Sequence, residues 1–164
     1  SVYKYFENKD ELFAMVVKEN LSLLEELLIL HSSSNEDIMV KAEKVLKELL
    51  KFAKKHPQLI KLYCAITTGN NTDFSRMLAE RVESISARFY TEVIEKGQAA
   101  GDVRKDVDPK FFAFLLDNIF MMLQFTSSCD YYKERFKVYI GEDVEDKEEL
   151  IIEQTLKFIK AAFR

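Results

Sequence analysis

Along residues 108–140 large side chains return every three or four positions without loss of phase: Phe111, Leu115, Asn118, Met122, Phe125, Cys129, Tyr132, Phe136 and Tyr139. That spacing keeps one face aligned along a helix, and Asn118 alone interrupts its apolar character. Phe112, Leu116, Ile119, Leu123 and Thr126 form a second stripe beside it, while Phe114 and Met121 share a third face with Asp117 and Gln124. A helix apolar nearly all round has to be covered on several sides, so the pattern predicts a central helix. Asp108 suits its N-cap, Pro109 its first turn and Gly141 its end. Ser127, Ser128 and Asp130 offer a possible break near 126–130, but the unbroken phase favours one continuous helix.

The same periodicity predicts helices elsewhere. Residues 9–30 carry Leu12, Val16, Leu23, Leu27 and Leu30, with Phe13, Val17 and Leu24 alongside. After His31 and Ser32 to Ser34, Asn35 is the expected cap of a helix with Ile38, Ala42, Val45, Leu49 and Phe52 on one stripe. Lys41, Lys44, Lys47, Lys51 and Lys54 lie largely outside that stripe and read as a solvated face. His56-Pro57 forces a break, because the residue before proline avoids helical angles. A short helix presents Leu59, Leu62, Tyr63 and Ile66, followed by a polar loop over 69–72. One long helix is predicted over 73–100, with the stripe Phe74, Leu78, Val82, Ile85, Phe89 and Val93, ending at Gly101. The acidic run 142–149 reads as a loop and helix start. A last helix then carries Ile152, Leu156, Ile159 and Phe163.

Composition narrows this to one all-α domain. The chain has 164 residues, 48% of them hydrophobic, with four glycines and two prolines, too few turn formers for a β-sandwich. A net charge of −4 gives no overall cationic field for nucleic acid or an anionic membrane, so any DNA contact is expected to be local. Uninterrupted apolar runs fall far short of the roughly 20 residues of a membrane span, and no signal-peptide pattern opens the chain, so no membrane partner and a cytoplasmic location are expected. Cys64 and Cys129, both in helical patterns, are expected as buried free thiols. Because Ser1 reads as the middle of a helix, further residues are expected before it.

The opening Ser1-Val-Tyr-Lys-Tyr-Phe, followed by Asn8, Lys9, Glu11 and Leu12, resembles the end of the recognition helix and the start of the next helix in TetR-type bacterial transcriptional regulators. In that family an aromatic pair, here Tyr5 and Phe6, closes a helix-turn-helix domain. The glycine-containing passage from Glu95 to Pro109 is similar to the linker before the first of the family's two dimerisation helices. The resemblance implies a remnant of the DNA-binding domain at 1–8 and a ligand-binding and dimerisation domain at 9–164. It implies a TetR-like C-terminal helical bundle with two C-terminal dimerisation helices, and contact of Tyr3, Lys4 and Lys9 with operator phosphates. The rest of the helix-turn-helix is missing, so this chain alone is not expected to hold an operator.

On that basis the expected function is a ligand-responsive repressor that forms a homodimer and releases operator DNA when a small apolar or aromatic effector binds. The expected effector residues are Tyr63, Phe89, Leu115, Asn118, Met122 and Phe125, with Asn118 either orienting the ligand or bonded to a neighbouring helix or the dimer mate. The expected dimer interface comprises Tyr132, Phe136, Ile152, Leu156, Ile159 and Phe163. An alternative is a helical interaction module without a small-molecule ligand. An enzyme rests only on His31, His56 and the two cysteines, and no catalytic set, metal site, nucleotide loop or cofactor motif stands out. Both histidines are expected to serve helix ends.

Overall fold

In the computed structural model, the described residues are 36–69 and 72–164, together with Leu12, Met15, Val16, Glu25, Glu26 and Ile29, which are helical. They form an all-α fold without a strand: α1 (Ile38–Lys55), α2 (Pro57–Thr67), α3 (Thr72–Leu78), a π-helical turn (Ala79–Glu83), α4 (Ser84–Ala100), α5 (Pro109–Ser128), α6 (Asp130–Ile140), a 3-10 turn (Val144–Asp146) and α7 (Glu148–Phe163). The contacts expected of Tyr3, Lys4 and Lys9, the cap at Asn35 and the role of His31 fall outside the described residues.

Short-range chemistry sets most of the boundaries. Asp37 begins α1 by accepting the N–H of Met39 at 2.7 Å, and Asp108 begins α5 by accepting that of Phe111 at 2.8 Å. Pro57 and Pro109 open α2 and α5, where a missing N–H costs nothing. Gly101 and Gly141 end α4 and α6 at φ 87° and 83°, in the left-handed region that a Cβ disfavours. The lysine face of α1 is exposed and laced with ion pairs, Lys47–Glu43 at 2.5 Å among them, each worth little at such a surface.

The central helix is α5, against which α1, α2, α4 and α6 all pack. By length and composition α5 could cross a membrane, but here its apolar surface serves as the spine of a helical bundle. Leu46, Leu50, Ile94, Phe120 and Ile159 are almost wholly enclosed around it. Truncating any of them to alanine costs on the order of 2–5 kcal/mol. A second apolar cluster at the other end joins Ala53, Ile60, Phe125 and Cys129. Gly97 lets α4 meet the following loop: an added Cβ would lie 2.7 Å from Val103 Cγ2 and 2.8 Å from Ile38 Cδ1.

Two expected helices are interrupted. The continuous helix over 108–140 divides at Cys129, whose backbone is extended at φ −102°, ψ 131°. Ser128 turns its hydroxyl onto the Ala53 carbonyl of α1, and α6 restarts one residue later. The predicted helix over 73–100 widens through the π turn, which inserts a residue and advances the later positions by about 100°. Of the expected stripe, Leu78 and Phe89 are buried and Val93 packs against the core, while the shift in phase adds Tyr90, Ile94 and Gly97 to the buried positions and lets Glu83 reach Tyr63.

Candidate functional site

The π turn places a carboxylate where an uninterrupted helix would have placed Val82. Glu83 accepts the hydroxyl proton of Tyr63, which α2 presents from across the bundle. Asp117 on α5 lies within electrostatic range of Glu83, and Tyr90 on α4 within range of Asp117. Two acids and two phenols, from α2, the π turn, α4 and α5, are thus linked by one hydrogen bond and by charges within electrostatic range.

Their ionisation follows from enclosure. Burial, reinforced by the negative charge of Glu83, pushes the Asp117 carboxyl up to about 7, so near neutral pH it is a mixture of acid and anion. Burial first, then the charge and hydrogen bond of Glu83, hold the Tyr63 hydroxyl well above the usual phenol range. Tyr90 is raised by burial and by Asp117. Both phenols remain protonated, giving a site with two hydroxyls and two carboxyl groups of unlike character: Glu83 anchored by Tyr63, Asp117 poised to give or accept a proton.

The sequence-derived effector residues are only partly brought together here. Tyr63 and Phe125 meet with ring centroids 6.0 Å apart, and Met122 packs in the same cluster. Phe89 is buried one step away, its ring 5.2 Å from that of Tyr90. Leu115 lies instead on the outer side of α5, 45% exposed, with Phe111 at 62% and Phe114 at 59%. The half-buried Asn118 donates its amide to the Phe114 carbonyl of its own helix at 2.7 Å, rather than to a neighbouring helix. The stripe through Phe111, Leu115, Asn118, Met122 and Phe125 starts outside and ends inside because a seven-residue repeat drifts about 20° per heptad on a straight helix.

The expected interface residues lean inward. Ile159 and Phe163 are buried in the chain's own core, Phe163 with its ring 5.5 Å from that of Phe112, which corrects their assignment to the dimer surface. Phe136, Ile152 and Leu156 are partly buried against the same core, and Tyr132 sits 5.7 Å from Phe125. The apolar side chains that α5 and α7 leave exposed are Phe111, Phe114, Leu115, Leu150 and Phe158.

Among the described residues, no group of three or more His, Cys, Asp or Glu side chains is arranged to hold a metal ion. His56 is the C-cap residue of α1: its backbone N–H donates to the Phe52 carbonyl, and its ring lies 4.8 Å from that of Phe52. Glu83, Tyr90 and Asp117 escape the sequence-based site. The available signal was Asp117, a carboxylate on a helix otherwise apolar nearly all round.

No family model and no curated protein matches the sequence. The fold is similar to a solved structure described as a "Clostridium perfringens putative fatty acid metabolism regulator", with a TM-score of 0.76 and 13% identity. The match covers 99% of this chain and 80% of that one.

Proposed function

We propose that the chain is the effector-binding and dimerisation body of a TetR-family transcriptional repressor acting in the cytoplasm. Residues 1–8 would close its DNA-binding domain and residues 9–164 form the body. The opening motif, the linker before Asp108 and the helix order support this reading, as does the likeness in fold to a protein named as a regulator. The observation that carries it is the Tyr63–Glu83–Asp117 arrangement, because ionisable groups kept inside an apolar bundle cost stability and concentrate where a site is used.

The effector in this reading is largely apolar, uncharged or cationic, and carries at least one hydrogen-bond donor. Glu83 and Asp117 would receive that donor, while Met121, Met122 and Phe125 meet the apolar part. A free fatty acid would bring a third carboxylate to the pair, so a lipid effector would need a neutral head group. Homodimerisation is assigned to the exposed apolar side chains of α5 and α7, with Asn118 at their edge.

The intact protein, passed over extract and analysed by native mass spectrometry, is expected to retain a small molecule that Asp117→Leu loses. Selection from random duplexes is expected to enrich an inverted repeat with half-sites about one helical turn apart. A protein that enriches no sequence is not a repressor of this kind. One that dimerises but retains nothing fits the second reading, an interaction module, which the exposed Phe111, Phe114 and Phe158 favour.

A further inference from the structure

Cys64 and Cys129 come from distant parts of the chain and are both free, yet the fold brings them into one apolar cluster. Cys64 is half-buried on α2. Cys129 is buried as the extended residue between α5 and α6 and packs with Cys64 in the cluster around Ala53, Ile60 and Phe125. Burial, reinforced by the neighbouring Cys64, holds the Cys129 thiol above the ordinary thiol range. Lys61, one turn before Cys64, pairs with Asp130 at 3.3 Å and places a positive charge within range of the Cys129 thiol.

We infer that Cys64 and Cys129 form a peroxide-responsive dithiol, which closes into an intramolecular disulfide between α2 and the α5–α6 break. Cys64 is the more accessible sulfur and reacts first: its thiolate attacks a hydroperoxide, the O–O bond breaks, and Cys64 sulfenic acid and an alcohol, or water, are formed. The Cys129 sulfur then attacks the sulfenic sulfur. The S–O bond breaks, and the departing hydroxide takes the Cys129 proton to leave as water. Two thiols are oxidised by two electrons, and one hydroperoxide is reduced. A bond of about 2.05 Å demands sulfurs that the fold already brings together, and the packing of Cys64 and Cys129 in one apolar cluster supplies that proximity. Cys129 lies at a break rather than inside a helix, so it can adjust without breaking an internal helical turn. The inference is independent of the effector reading.

The test treats the intact reduced protein with hydrogen peroxide, blocks remaining thiols with an alkylating agent and maps peptides without reduction. The expected result is joint loss of both thiols and one cross-linked peptide joining Cys64 to Cys129, restored by dithiothreitol. Mixing isotope-labelled with unlabelled protein should give no mixed cross-link. Cys129→Ser should stop at a sulfenic acid on Cys64, trapped by dimedone, while Cys64→Ser should leave Cys129 unreacted until the protein is unfolded. Persistent thiols, a Cys64–Cys64 link between chains, or over-oxidised Cys64 beside free Cys129 in the wild-type protein would each overturn the inference. The wild-type map decides even if a variant fails to fold.

Discussion

Ser128 donates its hydroxyl to the Ala53 carbonyl at 3.1 Å, and that carbonyl faces the place in α1 where the next helical donor would have been the missing N–H of Pro57. The proline that ends α1 thus creates an acceptor that the last residue of α5 fills. Ser128→Ala is expected to cost about 1–3 kcal/mol, the usual penalty for a buried group left unpaired. Ser127→Ala, whose hydroxyl bonds only to the Leu123 carbonyl of its own helix at 3.0 Å, should change stability by less than about 0.5 kcal/mol. Urea unfolding of the two variants checks this; equal losses would remove the special role of Ser128.

The Tyr63–Glu83 bond makes a comparable prediction inside the candidate site. Tyr63→Phe deprives Glu83 of a donor and is expected to destabilise the protein by about 1–3 kcal/mol. In the Glu83→Gln background the same change should cost distinctly less, because a neutral amide is easier to bury than a carboxylate. A double-mutant cycle measures the difference directly, and additive losses would contradict the coupling.

Asp117 gives stability a pH dependence opposite to that of most acids. Its folded carboxyl titrates at about 7 and the unfolded one near 3.9, so between those values the folded state holds the extra proton. The contribution from that proton is fully present below about pH 4, is lost as pH rises towards about 7, and is flat above. Asp117→Asn stays neutral throughout. Its advantage over the wild type should grow from near zero at about pH 4 to a few kcal/mol at about pH 8. Denaturant unfolding across that window checks it, and a constant difference would show that Asp117 titrates normally.

Residues that constrain their own backbone were legible from sequence: His56-Pro57, Asp108-Pro109, Gly101 and Gly141 set the expected boundaries. The two breaks were not. A stripe of large side chains carries its rhythm across one extended residue at Cys129, and the π turn changes phase by a single position, less than the pattern's own tolerance. Glu83 was hidden for that reason, since an uninterrupted helix turns it away from Tyr63. Asn118 attracted attention by interrupting an apolar stripe, and its amide donates within its own helix, whereas the equally anomalous Asp117 one position earlier lies within electrostatic range of Glu83. The inward aim of Ile159 and Phe163 depended on which side of α7 meets α1, a long-range choice that periodicity does not contain.

The exposed aromatics of α5 and α7 predict a dimer. Phe114 and Phe158 are 59% and 65% exposed, large apolar surfaces that gain by mutual cover. The intact protein should sediment as a homodimer at micromolar concentration, and Phe114→Glu with Phe158→Glu should yield folded monomers. A wild-type protein that is monomeric and folded there would rule out this assignment.

Effector and DNA should also oppose one another through a short path of described contacts. Glu83 closes the π turn from which α4 starts, and Arg88, further along α4, pairs with Glu25, which lies after the proposed DNA-contacting residues in the sequence, at 3.9 Å. In the proposed repressor, an effector that shifts Glu83 would move α4 and, through Arg88, Glu25. Linkage then requires that operator weaken effector binding by the factor by which effector weakens operator binding, typically about 5- to 150-fold. Effector affinity measured with and without operator gives that factor. Arg88→Ala, removing an exposed pair worth about 0–1 kcal/mol, should reduce the factor while leaving the fold intact. Equal affinities with and without operator, in a protein that binds both, would exclude the mechanism; an unchanged factor in Arg88→Ala would exclude this path.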